Sequence, residues 1–312
     1  MGRVFIWYLI EFDPQPGPGP SISYALLAGR PARSAVLLND EQRALQLHIR
    51  LALGVGDAFD AQAEIERRVE FLAELLRATG ARALVLGISG GVDSLTAGCL
   101  SQRAVERVRA QGGEARFVAM RLPYGVQLDE ADAQSGLAVI RPDDLLTVDV
   151  RPASDAMLAA VRAGGQTFRD AAQEDFLHGN VKARQRMIAQ YAVAGARGGL
   201  VVGTDHAAEA LMGFFTKFGD GAADVTPLAG LNKRRVRALA AALGAPRELV
   251  FKVPTADLEL LTPLKPDEDA FGVSYEQIDD FLEGRDVPPD IFDIIVSAWR
   301  RSAHKRALPV AP

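Results

Sequence analysis

Residues 83–88 form an apolar run that leads into Ser89-Gly-Gly-Val-Asp-Ser94 and then into an apolar stretch with helical spacing. No other feature restricts the fold as strongly. A run of that length suits a strand buried on both faces of a parallel sheet. Glycines at 90 and 91 allow the chain to turn sharply before the helix begins. Backbone N–H groups of such a turn, with the positive end of the helix dipole behind them, favour an anion such as phosphate. The loop lacks the Gly-Lys-Ser/Thr ending of a Walker A loop and the GxGxxG of a dinucleotide fingerprint. A capped turn would explain Asp93 and Ser94 alone, but the complete strand–SGG–x–DS–helix string is much rarer.

The rest of the chain repeats the alternation. Ile65, Val69, Leu72, Leu75 and Leu76 recur at helical spacing, and Gly80 is a fitting stop. Further strands are expected at 117–122, 145–150 and 199–203, with helices at 40–53, 128–140, 153–163 and 173–196 between them. Strands alternating with helices predict an α/β fold, a doubly wound parallel sheet flanked by helices. Short, turn-broken helices are expected from Asn232 onward. The tract DPQPGPGP at 13–20 can hold neither a helix nor a central strand. Residues 1–38 are therefore expected to be a disordered appendage, dispensable for catalysis, and 39–312 a single domain.

The chain has 312 residues, 24% of them charged, and a formal net charge of −5. That balance argues against a non-specific nucleic-acid or membrane-surface binder. Cys99 is the single cysteine, so no internal disulfide is possible, and it falls in an apolar helical run that suits buried packing. No apolar stretch reaches the roughly 18 residues of a spanning helix, and the apolar start MGRVFIWYLI is too short for a signal peptide. A soluble cytoplasmic location is expected.

Four downstream segments carry the chemistry. His178-Gly-Asn-Val-Lys-Ala-Arg-Gln-Arg-Met187 lies on an expected helix, where Lys182 and Arg186 share a face and Arg184 lies on another. Such cations suit a pyrophosphate, although a basic helical turn is also an ordinary solvated face. Leu200-Val-Val-Gly-Thr-Asp-His206 reads as a strand ending in polar residues, followed by Glu209. Open α/β sheets bind ligands beyond such strand ends, but Thr204-Asp205 could equally cap a helix. Gly213-Phe-Phe-Thr-Lys-Phe-Gly-Asp-Gly-Ala-Ala-Asp224 combines glycine, phenylalanine and charge as a substrate-covering loop would. Pro227-Leu-Ala-Gly-Leu-Asn-Lys233 supplies a further lysine.

The phosphate loop alone resembles the N-type ATP pyrophosphatases, a superfamily that includes GMP-forming, tRNA-modifying and NAD-forming enzymes. With GN-x-x-AR-x-RM, GTDH-x-x-E and FFTK-x-GDG following in order, the chain resembles the ammonia-dependent NAD synthetases over about residues 40–308. The resemblance implies an adenine nucleotide α-hydrolase-like fold and amidation of deamido-NAD to NAD, with ATP and ammonia as co-substrates. It implies that Gly87, Ile88, Ser89, Gly90, Gly91, Val92, Asp93 and Ser94 cradle ATP, joined by Thr204, Lys233 and Thr255. Asp93 and Glu209 are the implied Mg²⁺ ligands, and Arg184, Lys217, Asp224, His304 and Lys305 the implied deamido-NAD contacts. Lys217 and Lys233 would stabilise phosphoryl charge, and Asp220 would receive ammonium. A homodimer is also implied. Val92 stands where the family often has Gln, a change that leaves a backbone-mediated grip intact. The chain offers no room for a glutaminase domain, so ammonia is the expected nitrogen donor. A tRNA- or GMP-directed enzyme and a non-catalytic nucleotide sensor are the competing readings. The former would call for a nucleic-acid patch, and the latter for a decayed set of charged residues.

Overall fold

A computed structural model of the chain describes residues 38–126, 129–256, 258–263, 265–307 and 309–311. The expected appendage therefore lies outside the described residues, except for Leu38, which is buried in the core.

Helix α1 (Asp40–Ala52) starts at Asn39, whose side chain accepts the Gln42 N–H while Gln42 returns a bond to the Asn39 backbone. Helix α2 (Ala61–Thr79) is capped by Asp60 and ends at Gly80, where φ is +68°. Then follow β1 (Ala83–Gly87), α3 (Val92–Ala110), β2 (Arg116–Arg121), α4 (Glu130–Ile140), β3 (Asp144–Thr147), α5 (Arg151–Ala163), α6 (Ala171–Arg197) and β4 (Gly199–Val201).

The four strands form one parallel sheet in the order β3-β2-β1-β4. Alternation along β1 divides the core into two layers. Leu84 and Leu86 face a cluster with Ile65, Leu72 and Leu100 of α2 and α3. Val85 faces the other layer, with Val118, Met120, Val201 and Ala194 of α6. Helices thus cover both faces, as the sequence pattern predicts. From β1 the chain first winds toward β3 and then returns to β4 on the opposite side. The crevice between β1 and β4 is therefore the switch point at which such sheets take ligands.

Two expected strands are shorter than their apolar runs. β3 ends at Thr147 because Asp149 turns the chain, accepting the Gly125 and Arg151 N–H groups at 3.0 and 2.9 Å. As an edge strand it leaves Leu145 exposed. β4 ends at Val201, and Val202 and Gly203 continue only as single backbone bonds to Val85 and Val225.

The remaining chain closes one end of the sheet: α7 (Ala207–Met212), α8 (Lys233–Ala242), α9 (Arg247–Val250), β5 (Thr255–Ala256), β6 (Lys265–Pro266), α10 (Asp267–Phe271), α11 (Tyr275–Leu282), α12 (Pro289–Arg301) and a 3-10 turn, Ala303–Lys305. Its own core gathers Ile49, Leu211, Tyr275, Ile278, Phe281 and Ile295. Packing of α7 on this core and of α8 on α2 and α3 brings Glu209 and Lys233 to the carboxyl end of β1. Among the described residues no helix is long and apolar enough to cross a membrane.

Candidate active site

A cleft of about 460 Å³ opens at the carboxyl ends of β1 and β4. Its floor is the phosphate loop. Ser94 Oγ accepts the Ser89 N–H at 3.3 Å and donates to the Gly91 carbonyl at 3.1 Å. Ser89 Oγ accepts the Gly91 N–H at 3.2 Å, so the serines brace the turn from within. Gly90 adopts φ +91°, and a Cβ there would lie 3.0 Å from the Ala133 nitrogen, so glycine is required both for conformation and for approach. Behind the loop, Gln190 of α6 accepts the Gly87 N–H at 2.8 Å, and the Arg121 guanidinium donates to the Ile88 carbonyl.

At the start of α3 the loop meets a dense charge cluster. Lys233 Nζ donates to Asp93 Oδ2 at 2.7 Å. Asp93 Oδ1 is buried without a hydrogen-bond partner, and His206 Nε2 lies 3.4 Å away. Single ligand atoms of Asp93, His206 and Glu209 all fall within 4.8 Å of one another. Burial opposes charge on Asp93, yet the Lys233 ammonium holds its carboxyl below the usual range. Glu209 moves well upward, first through burial and then through repulsion from Asp93. Desolvation pushes His206 down to about 3 and keeps the imidazole neutral. Such an unbalanced acidic pair, beside a phosphate loop, matches a site built for a divalent cation and a polyphosphate.

Lys233 is positioned by other elements. Asp279 of α11 accepts the Lys233 and Arg234 N–H groups at 3.0 and 2.6 Å, tying down the first turn of α8. The Tyr275 ring lies 5.0 Å from Lys233 Nζ, and its hydroxyl donates to Asp267 Oδ2 at 3.0 Å. Burial raises Asp267 to about 6. Asp205 rises to about 7 through burial and then the charges of Asp220 and Asp93. Asp220 lines the cleft, accepts the Thr216 N–H at 2.9 Å, and is also raised by burial.

Of the ATP residues expected from the sequence, the loop residues other than Gly90 line the cleft, together with Thr204, Lys233 and Thr255. The expected dinucleotide contacts are more scattered. Lys305 lines the cleft and donates to the Gly213 and Phe215 carbonyls at 3.0 and 2.9 Å. Lys217, Arg184 and His304 form a group beside it: Arg184 donates to the Lys217 carbonyl at 3.2 Å and Lys217 Nζ to the His304 carbonyl at 2.7 Å. Asp224 lies elsewhere, exposed, its carboxylate accepting the Val201 N–H at 2.7 Å beside the Tyr191 hydroxyl. Lys182, expected to share a phosphate-facing surface with Arg186, instead donates to the Leu258 carbonyl at 2.7 Å under the Tyr124 ring. Only Arg186 of that pair lines the cleft.

The sequence reading passed over Arg121, Gln190, Lys252 and Asp267, all of which line the cleft. Arg121 carried a legible signal, a buried charge closing an apolar strand at its carboxyl end. Gln190, Lys252 and Asp267 carried none, because packing of distant segments brings them there.

The sequence of residues 64–309 matches the family model described as NAD synthase. The chain is 68% identical over 269 residues to the NH(3)-dependent NAD(+) synthetase of Streptomyces coelicolor, covering 86% of this chain and 98% of that protein. Its structure is similar to that of NAD+ synthetase from Burkholderia pseudomallei, with a TM-score of 0.76, 61% identity and coverage of 86% and 98%. NMN synthetase from Francisella tularensis is also similar, at a TM-score of 0.71 and 34% identity over 82% of this chain and 99% of that one. With the phosphate loop, the charge cluster and near-complete coverage of these relatives in agreement, the chain belongs to the NAD synthase family.

Proposed function

We propose a division of labour in this cleft for the reaction of the family, the ATP-dependent amidation of deamido-NAD to NAD by ammonia. The reaction passes through an adenylated intermediate and releases AMP and pyrophosphate. The observation that carries the reading is the convergence of Asp93, Glu209 and Lys233 at the end of the braced phosphate loop.

In this reading the loop from Gly87 to Ser94 holds the ATP phosphates through its backbone, and Thr204 and Thr255 take further contacts along the cleft. Lys233, fully buried, presents a fixed cation to the departing pyrophosphate. Asp93 and Glu209 would hold Mg²⁺, a fit supported by the buried Asp93 Oδ1 that lacks a hydrogen-bond partner. Bound there, the cation would offset charge on the triphosphate. Lys217, Arg184, His304 and Lys305 orient deamido-NAD at the cleft mouth. Asp224 would reach the dinucleotide only from another surface, which a second copy of the chain could supply. Exposed Met157 and Val161 on α5 and Ile188 on α6 support such a homodimer. Asp220 collects ammonium and accepts its proton, and burial, by raising its carboxyl, makes it a stronger base than an exposed aspartate.

The chemistry requires the nicotinate carboxylate to attack the ATP α-phosphorus. Deamido-NAD labelled with ¹⁸O in that carboxylate should therefore transfer one label to AMP. Recovery of the label in pyrophosphate, or its complete retention in NAD and water, would refute this route.

A further inference from the structure

Arg306 is half-buried beside His304 and Lys305, yet every acceptor it meets is neutral. Nη1 donates to the Ala210 carbonyl at 2.8 Å and to Ser302 Oγ at 2.7 Å. Nη2 donates to the Trp299 carbonyl at 2.6 Å, and Cζ lies 3.6 Å from the centre of the Trp299 ring. Burial lowers the guanidinium pKa, and no carboxylate opposes the shift. The counter-charge comes from the backbone. Ala210 and Trp299 stand in the last turns of α7 and α12, where helix geometry leaves carbonyls without an intrahelical partner and the dipole is negative. One planar fork thus ties two helix ends together. The junction is close-packed: Gly213, the left-handed cap of α7 at φ +67°, has no room for a Cβ, which would overlap the Ser302 side chain. Arg306 does not line the cleft, but Lys305 does. Lys305 Nζ reaches the Gly213 and Phe215 carbonyls just beyond α7, while Lys217 Nζ grips the same turn at the His304 carbonyl.

We propose that Arg306 is a positioning residue that fixes the Lys305 ammonium for the dinucleotide by clamping the Ala303–Lys305 turn to the ends of α7 and α12. The inference rests on the reading of Lys305 as a deamido-NAD contact. A lysine at 306 would keep the charge but lose the planar fork that spans both helix ends.

Steady-state kinetics of the full chain test this. Arg306→Met should raise the KM for deamido-NAD roughly tenfold, with kcat and the KM for ATP changed by less than about twofold. Arg306→Lys should recover only part of that loss. Because Arg306 acts through Lys305, Arg306→Met should add less than about threefold to the KM of a Lys305→Met variant. Parent kinetics in either Arg306 variant, an equal rise in the KM for ATP, or the full loss repeated in the Lys305→Met background would overturn the proposal. If Arg306→Met does not fold, Arg306→Lys carries the same cycle. A Lys305→Met variant with the parent's KM for deamido-NAD would remove the reading of Lys305 itself, and this inference with it.

Discussion

Lys233 Nζ and Asp93 Oδ2 are 2.7 Å apart, a pair joined across 140 positions of sequence, with the lysine side chain 1% exposed and the aspartate 18%. Breaking a buried pair from one side strands a charge. Asp93→Asn should lower the unfolding free energy by about 3 kcal/mol, and Lys233→Met by a similar amount. The double variant Asp93→Asn/Lys233→Met should regain much of that loss while remaining inactive. Chemical denaturation of the four proteins measures the coupling. A double variant destabilised by the full sum of the single changes would show the pair to be independent.

Asp205 and the cleft residue Asp267 make stability depend on pH. Asp205 and Asp267 titrate at about 7 and about 6 in the folded chain, both displaced upward mainly by burial from 3.8. The folded state thus holds protons that the unfolded chain has already lost. Their contribution is complete below the unfolded value and disappears as pH rises through the folded values. The melting temperature of the ligand-free protein should therefore fall between about pH 4 and about pH 7 and level off above. Asp205→Asn and Asp267→Asn together should flatten that slope. An unchanged slope in the double variant would place the proton uptake elsewhere.

Asp220 should matter when ammonium is scarce. Its side chain lines the cleft and braces the Thr216 N–H, so Asp220→Asn retains a backbone acceptor while losing the charge. The variant should raise the KM for ammonium by roughly tenfold or more, with a smaller effect on the KM for ATP. Full turnover at limiting ammonium across neutral to mildly alkaline pH would exclude Asp220 from ammonium capture.

The exposed side chains on α5 and α6 predict association. Light scattering should give twice the 33.4 kDa of one chain. Met157→Asp with Val161→Asp should shift the protein toward the monomer and weaken deamido-NAD binding more than ATP binding. Dimers that persist with unaltered affinities would place the interface on another surface.

Much of this was legible in the residues themselves, for physical reasons. The uninterrupted apolar run of β1 and the glycines that follow can satisfy few other folds, and the period-3.6 pattern of α2 marks a helix regardless of context. Strand ends were less legible because hydrophobicity does not record where a side chain such as Asp149 captures the backbone. Within the site, Asp93, Glu209 and Lys233 stood in recognisable motifs, and the fold brings them together. Lys182 shows the limit of helical spacing. It shares a face with Arg186, but a partner segment, Leu258, occupies its end of that face. Asp267 and Gln190 gain their importance only when α10 and α6 pack beside the phosphate loop, a relation that local pattern does not encode.

The central claim concerns how ATP is cut, and product analysis tests it directly. With ATP and Mg²⁺ the purified chain should release pyrophosphate only when deamido-NAD is present, and an equal amount of AMP only once ammonium displaces it from the adenylate. Adding ammonium should convert the dinucleotide to NAD with matching stoichiometry. Release of ADP and phosphate, or cleavage of ATP that ignores deamido-NAD, would contradict the account.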